Sequence, residues 1–419
     1  MAERVAILLA AGVSSRMNTM LPKVLHEVTG RPMLAYVLDA CRTVGADKIY
    51  VVVGFGADQV QERFGDADDI IWVHQSEQLG TAHAVLCCQE QLKDFTGETL
   101  VLCGDGPLIR AGTLQTLIEK HEAEQAAATL ATAVLEDPTG YGRIIRDVYG
   151  NMQGIVEDSD CTPAQRAVRE VNPSYYLFNN QVLFRALERV KPDNVKQEYY
   201  LTDALSVISA TGHKVVAVTA VRPEEAMGVN SRAQLSVASK IMQQRIQQEL
   251  MENGVTIVDP DNTWIDARAQ IGQDTVIEPF VYIHGEVKIG RGCRIGPFAF
   301  LRHGTVLHDD VVLGVFTEVK NVTLADGVRA RHHSYLGDGV FGRNVNVGAG
   351  SITANFDGEN INQTHVGDDC YIGSGAVLIA PLVLQAGAQI AAGAVFSQKD
   401  ADQLEKEQGE TDRQNTVLG

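Results

Sequence analysis

Reading every sixth residue from Ile265 gives Ile271, Ile277, Ile283, Ile289, Ile295, Leu301, Leu307, Leu313 and Val319, an unbroken aliphatic column. Four residues after these stands a second column, Ala269, Thr275, Val281, Val287, Cys293, Ala299, Thr305, Val311 and Thr317, small or β-branched throughout. Neither a helix period of 3.6 nor a strand period of 2 produces a six-residue repeat. A chain that turns a corner after each short strand does: the large aliphatic fills the inside of the coil and the small residue packs beside the corner. Glycines directly after the aliphatic, at Gly272, Gly290, Gly296 and Gly314, suit such corners because they carry no Cβ. The pattern returns at Val366, Ile372, Leu378, Leu384, Ile390 and Phe396. It predicts a parallel β-helix of hexapeptide repeats. Between the two runs Ala325, Arg331 and Gly337 stand where aliphatics would continue the column, so the register is expected to fail there. The polar "ITANFDGENINQT" is expected to leave the coil as a loop.

The N-terminal half is patterned differently. "RVAILLAAG", "KIYVVVGFG" and "TLVLCGDGPLI" read as buried strands, separated by helix-length stretches such as "PMLAYVLDACRTVGA". That alternation predicts a mainly parallel sheet with helices on both faces, whose ligands bind beyond the carboxyl ends of the strands. A helix from about Ser231 to Glu252, stopped by "NG" as a C-cap, separates the halves. The expected domains are residues 1–229, a linker helix over 230–253, and the β-helix over 254–419.

A length of 419 residues agrees with two cores. The 35 basic and 53 acidic residues leave a formal charge of -18, which repels polyanions and argues against a nucleic-acid partner while leaving room for small basic pockets. The seven cysteines form no CxxC pair and no metal-spaced cluster, which reads as reduced thiols. No segment reaches the roughly 18 apolar residues of a membrane span, and the first residues do not resemble a signal peptide. A soluble cytoplasmic protein is expected.

Candidate chemistry lies first at the strand ends. Ala10, Ala11 and Gly12 let a ligand approach the backbone, and Arg16 and Lys23 supply charge for phosphates; a plain structural turn is the alternative. Asp105, emerging after an apolar strand, is placed to hold Mg2+, which takes only one or two protein carboxylates plus phosphate oxygens. An Asx-turn at the strand end is the alternative there.

The motifs together are more specific. "LLAAGVSSRM", "LPKVL", "QSEQLGTAHA", "GDGPL", "DPTGYGRI", "GIVED", "EVN", "EYYLTD" and "GVNSR" resemble, in order, the signatures of sugar-nucleotide pyrophosphorylases. Joined to a hexapeptide β-helix carrying "GPFAFLRHG", "HHSYLGD", "NVNVGAGSITANFDG" and "IAAGAV", the chain resembles the bacterial family of bifunctional N-acetylglucosamine-1-phosphate uridylyltransferases and glucosamine-1-phosphate acetyltransferases, the GlmU family.

The resemblance implies a Rossmann-like nucleotidyltransferase domain, a connecting helix and a left-handed β-helix, in a homotrimer whose acetyl sites form between subunits. The product, UDP-N-acetylglucosamine, would feed peptidoglycan and lipopolysaccharide synthesis. Matched by position, Leu9, Ala10, Ala11 and Gly12 with Gln75, Gly80 and Thr81 would hold the uridine of UTP. Arg16 and Lys23 would neutralise the triphosphate, and Asp105 and Asn230 would bind Mg2+. Gly142, Glu157 and Asn172 would hold N-acetylglucosamine 1-phosphate, near Cys103 and Gly104.

In the second domain the resemblance makes His332 the base that takes a proton from the attacking amine of glucosamine 1-phosphate. Arg302, Lys320, Tyr335 and Asn346 would bind that substrate, and Ala349, Asn355, Phe356, Ser374 and Ala392 would bind acetyl-CoA. His333 reads as packing or surface.

The chain departs from the family pattern at Cys103, where a tyrosine is common, and at Gly106, Ser159 and "NPSYY". Phe356 replaces a tyrosine, Ile361 a lysine, and the tail lacks the usual arginine and basic ending. Three readings follow: a bifunctional enzyme, a uridylyltransferase whose β-helix only trimerises, and a non-catalytic sugar-nucleotide-binding regulator. Retention of Arg16, Lys23, Asp105 and Asn230 together argues against the third.

Overall fold

In the computed structural model the described residues are 3–13, 15–65, 67–404 and 406. The chain divides into two compact units, Met1–Ile241 and Met242–Gly419.

The first unit is built on a nine-stranded sheet. Seven strands follow in the order Val215–Thr219, Ala128–Val134, Glu170–Asn179, Glu98–Cys103, Arg4–Ala10, Lys48–Val53 and Ile70–His74; Gly142–Arg146 and Met152–Val156 branch from Glu170–Asn179. The pairs around Arg4–Ala10 are parallel, whereas Glu170–Asn179 runs antiparallel to both of its long neighbours. Side chains of the central strand alternate between two cores. Val5 and Ile7 pack with the helices Thr81–Leu86, Asn180–Leu187 and Leu201–Ala210, while Ala6, Leu8 and Ala10 pack with Met33–Thr43 and Ala111–Glu124. Burial on both faces explains the continuous apolar runs in the sequence. Ala10, Val53, His74 and Cys103 end their strands on one edge of the sheet.

The helix Arg232–Glu252 ends as anticipated at "NG". Gly254 has φ 90°, its N–H donates to Met251 O at 3.1 Å, and Val255 N–H reaches back to Leu250 O at 3.0 Å, a Schellman closure. Within the second unit, Gln243 Oε1 accepts from Ile265 N–H at 2.9 Å and Gln247 Nε2 donates to Thr263 O at 2.7 Å. These two glutamines satisfy backbone groups of the first coil that would otherwise lie buried and unpaired.

The second unit is a parallel β-helix. Ile265 pairs in register with Ile283, which pairs with Leu301 and that with Val319, 18 residues per coil. The inward aliphatics form one continuous core, and each full burial contributes roughly 1.5–3 kcal/mol.

The expected loss of register over Ala325, Arg331 and Gly337 is corrected by the structure. Val319 pairs with Leu336, Leu307 with Leu324, and Leu324 with Phe341, so the coil continues with a repeat one residue shorter. The inward column runs Val319, Leu324, Ala330, Leu336, Phe341, Val347 and Thr353, all buried. At the two five-residue steps the chain crosses the corner inside single strands, Glu318–Leu324 and Tyr335–Phe341. A fixed six-residue reading frame therefore misses them. Ile352–Ala354 also remains in the coil, and the excursion begins at Asn355 and rejoins at Thr364–Val366.

The steric reason for glycine holds at three of the four positions, while Gly296 has positive φ, 97°. Gly272, Gly290 and Gly314 do not have positive φ; instead a Cβ on Gly314 would stand 1.8 Å from Arg331 O in the next coil. The left-handed corners fall elsewhere, at residues such as Asp274, Phe280, Phe298, Asp310 and Phe316. Close approach of coil to coil, rather than backbone conformation, selects glycine at 314.

Gly314→Ala is expected to destabilise the protein by about 1–3 kcal/mol, read as a lowered midpoint in chemical unfolding. Gly112→Ala, in a helix with nothing within 4 Å of the added Cβ, should instead gain about 0.5–1 kcal/mol.

Candidate active sites

The carboxyl edge of the first unit's sheet opens into a cavity of about 400 Å3. It is lined by Leu9, Ala10, Ala11, Gly12, Lys23, Gln75, Gly80, Thr81, Cys103 and Asp105, together with Val13, Val24, Gln78, Ala84 and Glu198. Gln75 is buried, and its Nε2 lies 3.3 Å from Gly80 O and 3.0 Å from His83 Nδ1. Gly80 has φ 118°, and a Cβ there would lie 2.5 Å from Tyr199 O. The "QLGTA" segment is thus sealed onto "EYYLTD": Ala82 N–H donates to Tyr199 O at 2.8 Å, and Leu201 N–H to Thr81 Oγ1 at 2.9 Å. Gly104 N–H donates to Leu9 O at 3.0 Å, and Gly104 packs beneath the floor.

At the centre Lys23 Nζ donates to Asp105 Oδ2 and, at 3.0 Å, to Asn230 Oδ1. The two oxygens come from distant chain segments tied together by Val229 N–H donating to Asp105 O at 3.0 Å. Asn230 Nδ2 donates to Gly228 O at 3.2 Å, turning its oxygen toward the lysine. Gln234 Oε1 accepts from Asn230 N–H at 2.8 Å and from Ser231 Oγ at 3.4 Å, fixing the start of the helix Arg232–Glu252. One carboxylate and one amide oxygen aimed at a single cation fit magnesium, which completes its shell with phosphate and water. Among the described residues no group of three or more His, Cys, Asp or Glu gathers at metal distance. Arg16 is exposed on the turn Ser15–Met17.

Glu157 and Asn172 lie on the neighbouring strands and their ends. A Cβ on Gly142 would stand 3.4 Å from both Glu157 carboxylate oxygens and 2.8 Å from Ile155 Cγ2. Thr202 Oγ1 donates to Glu157 Oε1 at 3.3 Å, and burial holds the carboxyl above its ordinary value. Asn172 Nδ2 donates to Tyr176 Oη at 2.6 Å while its Oδ1 accepts from Ser174 N–H at 3.1 Å. The "NPSYY" departure is a bulge: pairing with Ala128–Val134 shifts between Val171 and Tyr175. Burial and the Asp105 carboxylate push the Cys103 thiol up to about 12, so it is neutral. Thr202, Tyr176 and Glu198 were not singled out in the sequence; "EYYLTD" and "NPSYY" carry them, but no spacing rule says which side chain turns inward.

In the second unit, stacking of the coils aligns residues far apart in sequence. Gly350 N–H donates to His332 O at 3.4 Å, Gly375 N–H to Ala349 O at 2.7 Å, and Gly393 N–H to Ser374 O at 2.8 Å. His332, Ala349, Ser374 and Ala392 therefore climb one corner of four consecutive coils. His332 is exposed, and His333 turns the corner with φ 45° and packs its ring 5.1 Å from that of Phe316.

Across that corner, Arg302 N–H donates to Val319 O at 2.8 Å, which places Arg302 and Lys320 one coil apart, about 4.8 Å. Arg302 Nη1 is paired with Glu318 Oε1 at 2.9 Å. Tyr335 folds its ring over Gly337, where a Cβ would stand 2.5 Å from Tyr335 Oη. Asn355 Nδ2 donates to Tyr335 Oη at 3.3 Å and to Asp338, whose Oδ1 accepts from Asn321 Nδ2 at 2.7 Å. The buried Asp338 and the exposed Asn321 are further members that periodicity did not reveal. Asn346 stands beside Arg329 and Tyr371 on the His332 face. Phe356 and Ile361 form the bridge closing the excursion, both exposed. Residues 407–419 of the altered tail lie outside the described residues.

A sheet-edge nucleotide cleft in one unit and a corner-aligned coil site in the other define a nucleotidyltransferase joined to a hexapeptide transferase. Family models agree: residues 6–220 match the MobA-like NTP transferase domain, and residues 268–303 match the bacterial transferase hexapeptide of six repeats. A protein of Listeria monocytogenes serotype 4b called bifunctional protein GlmU is 42% identical, with 96% of this chain and 95% of that protein covered. Proteins of the same name from Geobacillus sp. (43%, covering 95% and 93%) and Trichlorobacter lovleyi (42%, covering 95% and 94%) match similarly. The chain belongs to the family of bifunctional GlmU proteins. A solved structure of UDP-glucose pyrophosphorylase complexed with UDP-glucose shares the fold of the first unit, with a TM-score of 0.50 at 16% identity, covering 58% of this chain and all of that one. Among the described residues no helix is long and apolar enough to cross a membrane.

The raised pKa of Glu157 carries a stability consequence. Ionisation disfavours the folded state, so the penalty is absent below the ordinary carboxyl value of 4.5 and grows as pH rises through the raised one. Glu157→Gln should raise the thermal midpoint at about pH 8 and leave it unchanged near pH 4, as read by scanning calorimetry.

Proposed function

We propose that the sheet-edge cleft of this GlmU-type enzyme transfers UMP from UTP to N-acetylglucosamine 1-phosphate, releasing pyrophosphate, and that the His332 corner transfers acetyl from acetyl-CoA to glucosamine 1-phosphate. The observation that carries the first assignment is the convergence of Lys23, Asp105 and Asn230 at the carboxyl edge of the sheet. The backbone from Leu9 to Gly12, with Gln75, Gly80 and Thr81, binds the uridine. Gly142, Glu157 and Asn172 receive the sugar, near Cys103. The sugar phosphate is already a nucleophile, so the protein positions the two phosphates in line and neutralises their charge, with no general base. Lys23 and Arg16 neutralise the phosphates and the departing pyrophosphate. Magnesium, held by Asp105 and Asn230, supplies further neutralisation of the triphosphate when bound.

For acetyl transfer, the alignment of His332 with Ala349, Ser374 and Ala392 on one corner supports a donor lying along that edge with its thioester end near the imidazole. Arg302 and Lys320, one coil apart, match a phosphate, and Tyr335 and Asn346 orient the sugar. His332 takes the amine proton as nitrogen attacks the thioester carbonyl, and the thiolate of coenzyme A leaves. Asn355 and Phe356 contribute to the donor side. A homotrimer completes these sites between subunits. The exposed stack of Phe280, Phe298 and Phe316, with ring centroids 4.8 and 5.3 Å apart, supplies apolar surface for such assembly. Use of UTP and acetyl-CoA makes the enzyme cytoplasmic. Residues 1–229 form the uridylyltransferase domain, 230–253 the connecting helix and 254–419 the acetyltransferase domain.

Two product assays separate the activities. Asp105→Asn should abolish pyrophosphate release from UTP and N-acetylglucosamine 1-phosphate while sparing thiol release from acetyl-CoA and glucosamine 1-phosphate. His332→Ala should do the reverse, lowering acetyl transfer about 10²–10⁴-fold. Wild-type pyrophosphate release without thiol release would reduce the β-helix to an assembly module.

A further inference from the structure

The first site holds a cation of its own. Lys23 Nζ donates to Asp105 Oδ2 and lies 3.0 Å from Asn230 Oδ1, so one ammonium engages both oxygens assigned to the metal. Lys23 and Asp105 are largely withdrawn from water, at 16% and 18% side-chain exposure, which strengthens their attraction and slows its screening by salt. The Asn230 oxygen is turned toward the lysine by its own amide, and the backbones of both residues are anchored. Asn230 is oriented by its own Nδ2 bond to Gly228 O and by the Gln234 bond to its N–H, and Asp105 is tied through its carbonyl to Val229.

We infer that Lys23 occupies the metal position in the nucleotide-free enzyme and must withdraw before magnesium enters. The inference rests on the assignment of Asp105 and Asn230 as the metal's protein ligands. Magnesium needs oxygens at about 2.0–2.1 Å in near-octahedral array. An ammonium hydrogen-bonded to the same two oxygens blocks that approach, and the two cations repel. A triphosphate changes the balance, because its oxygens offer Lys23 a new counter-anion within the same cleft and offer the metal the remainder of its shell. Lysine on oxygen and metal on oxygen thus exclude each other, whereas lysine on phosphate and metal on oxygen coexist. Metal and nucleotide binding are coupled positively, each raising the affinity of the other by the same factor. The free enzyme is thereby protected from binding a metal without its substrate.

Manganese is a spectroscopic substitute, since the signal of the free aqueous ion in electron paramagnetic resonance falls as it binds. Titration of the nucleotide-free protein should show Lys23→Met binding Mn2+ on the order of tenfold more tightly than wild type, and Asp105→Asn in the Lys23→Met background should remove the gain. Arg16→Met removes a positive charge of the same loop without touching the two oxygens, and should change the affinity less than about threefold. Circular dichroism establishes that each variant is folded. Equal affinity in wild type and Lys23→Met, or an equal gain in Arg16→Met, overturns the inference; the latter makes the effect one of general charge. Failure of the underlying assignment reads out separately: Asp105→Asn would then retain wild-type pyrophosphate release at saturating Mg2+.

Discussion

Parallel strand pairing sets equivalent ends of successive strands side by side, and both units depend on that constraint. In the first, Arg4–Ala10, Lys48–Val53, Ile70–His74 and Glu98–Cys103 end on one edge, so the residues that follow each strand share a cleft although they are dozens of positions apart. In the second, each coil is laid on the one before in the same direction, and a corner repeats as a column. His332, Ala349, Ser374 and Ala392 are neighbours for the same reason that Leu9, Gln75 and Cys103 are. Antiparallel pairing would send alternate ends to opposite edges and scatter both groups.

Charge is organised on top of that frame. With a net of -18 the protein has many carboxylates, and the cations assigned to phosphates are held by some of them: Lys23 by Asp105, Arg302 by Glu318. Such pairing fixes a long side chain before its ligand arrives and lowers the entropy lost on binding. It also places a competitor at the site, which phosphate must outbid. In the first unit one ammonium engages two such oxygens, Asp105 Oδ2 and Asn230 Oδ1.

Tight stacking of the coils imposes a second demand, for backbone atoms to approach without a Cβ between them. Gly314 meets Arg331 of the next coil and Gly337 admits the Tyr335 ring, so one glycine serves packing and the other shapes a site. The left-handed corners are a separate matter. They are filled even by Phe280, Phe298 and Phe316, whose stacked rings give neighbouring coils further contact. At His333 the same corner geometry separates one imidazole, packed on Phe316, from the other at His332.

Periodicity in the sequence determined the β-helix, because a residue pointing inward must recur at the length of one face, and apolar runs with helix-length spacers determined the doubly covered sheet. The capped end of the helix at Gly254 was equally local, requiring one residue able to adopt positive φ. Motif order then determined the family, and with it most of the residues that line the cleft. Tertiary structure alone decided where the coil shortens, since a five-residue step looks like a broken repeat until Val319 is seen paired with Leu336. It alone decided that Asn172 is engaged by Tyr176, that Asp338 and Asn321 support Tyr335 through Asn355, and that Lys23 bridges Asp105 and Asn230. These depend on side-chain direction across elements up to 207 residues apart, and no one-dimensional pattern records which way a side chain turns.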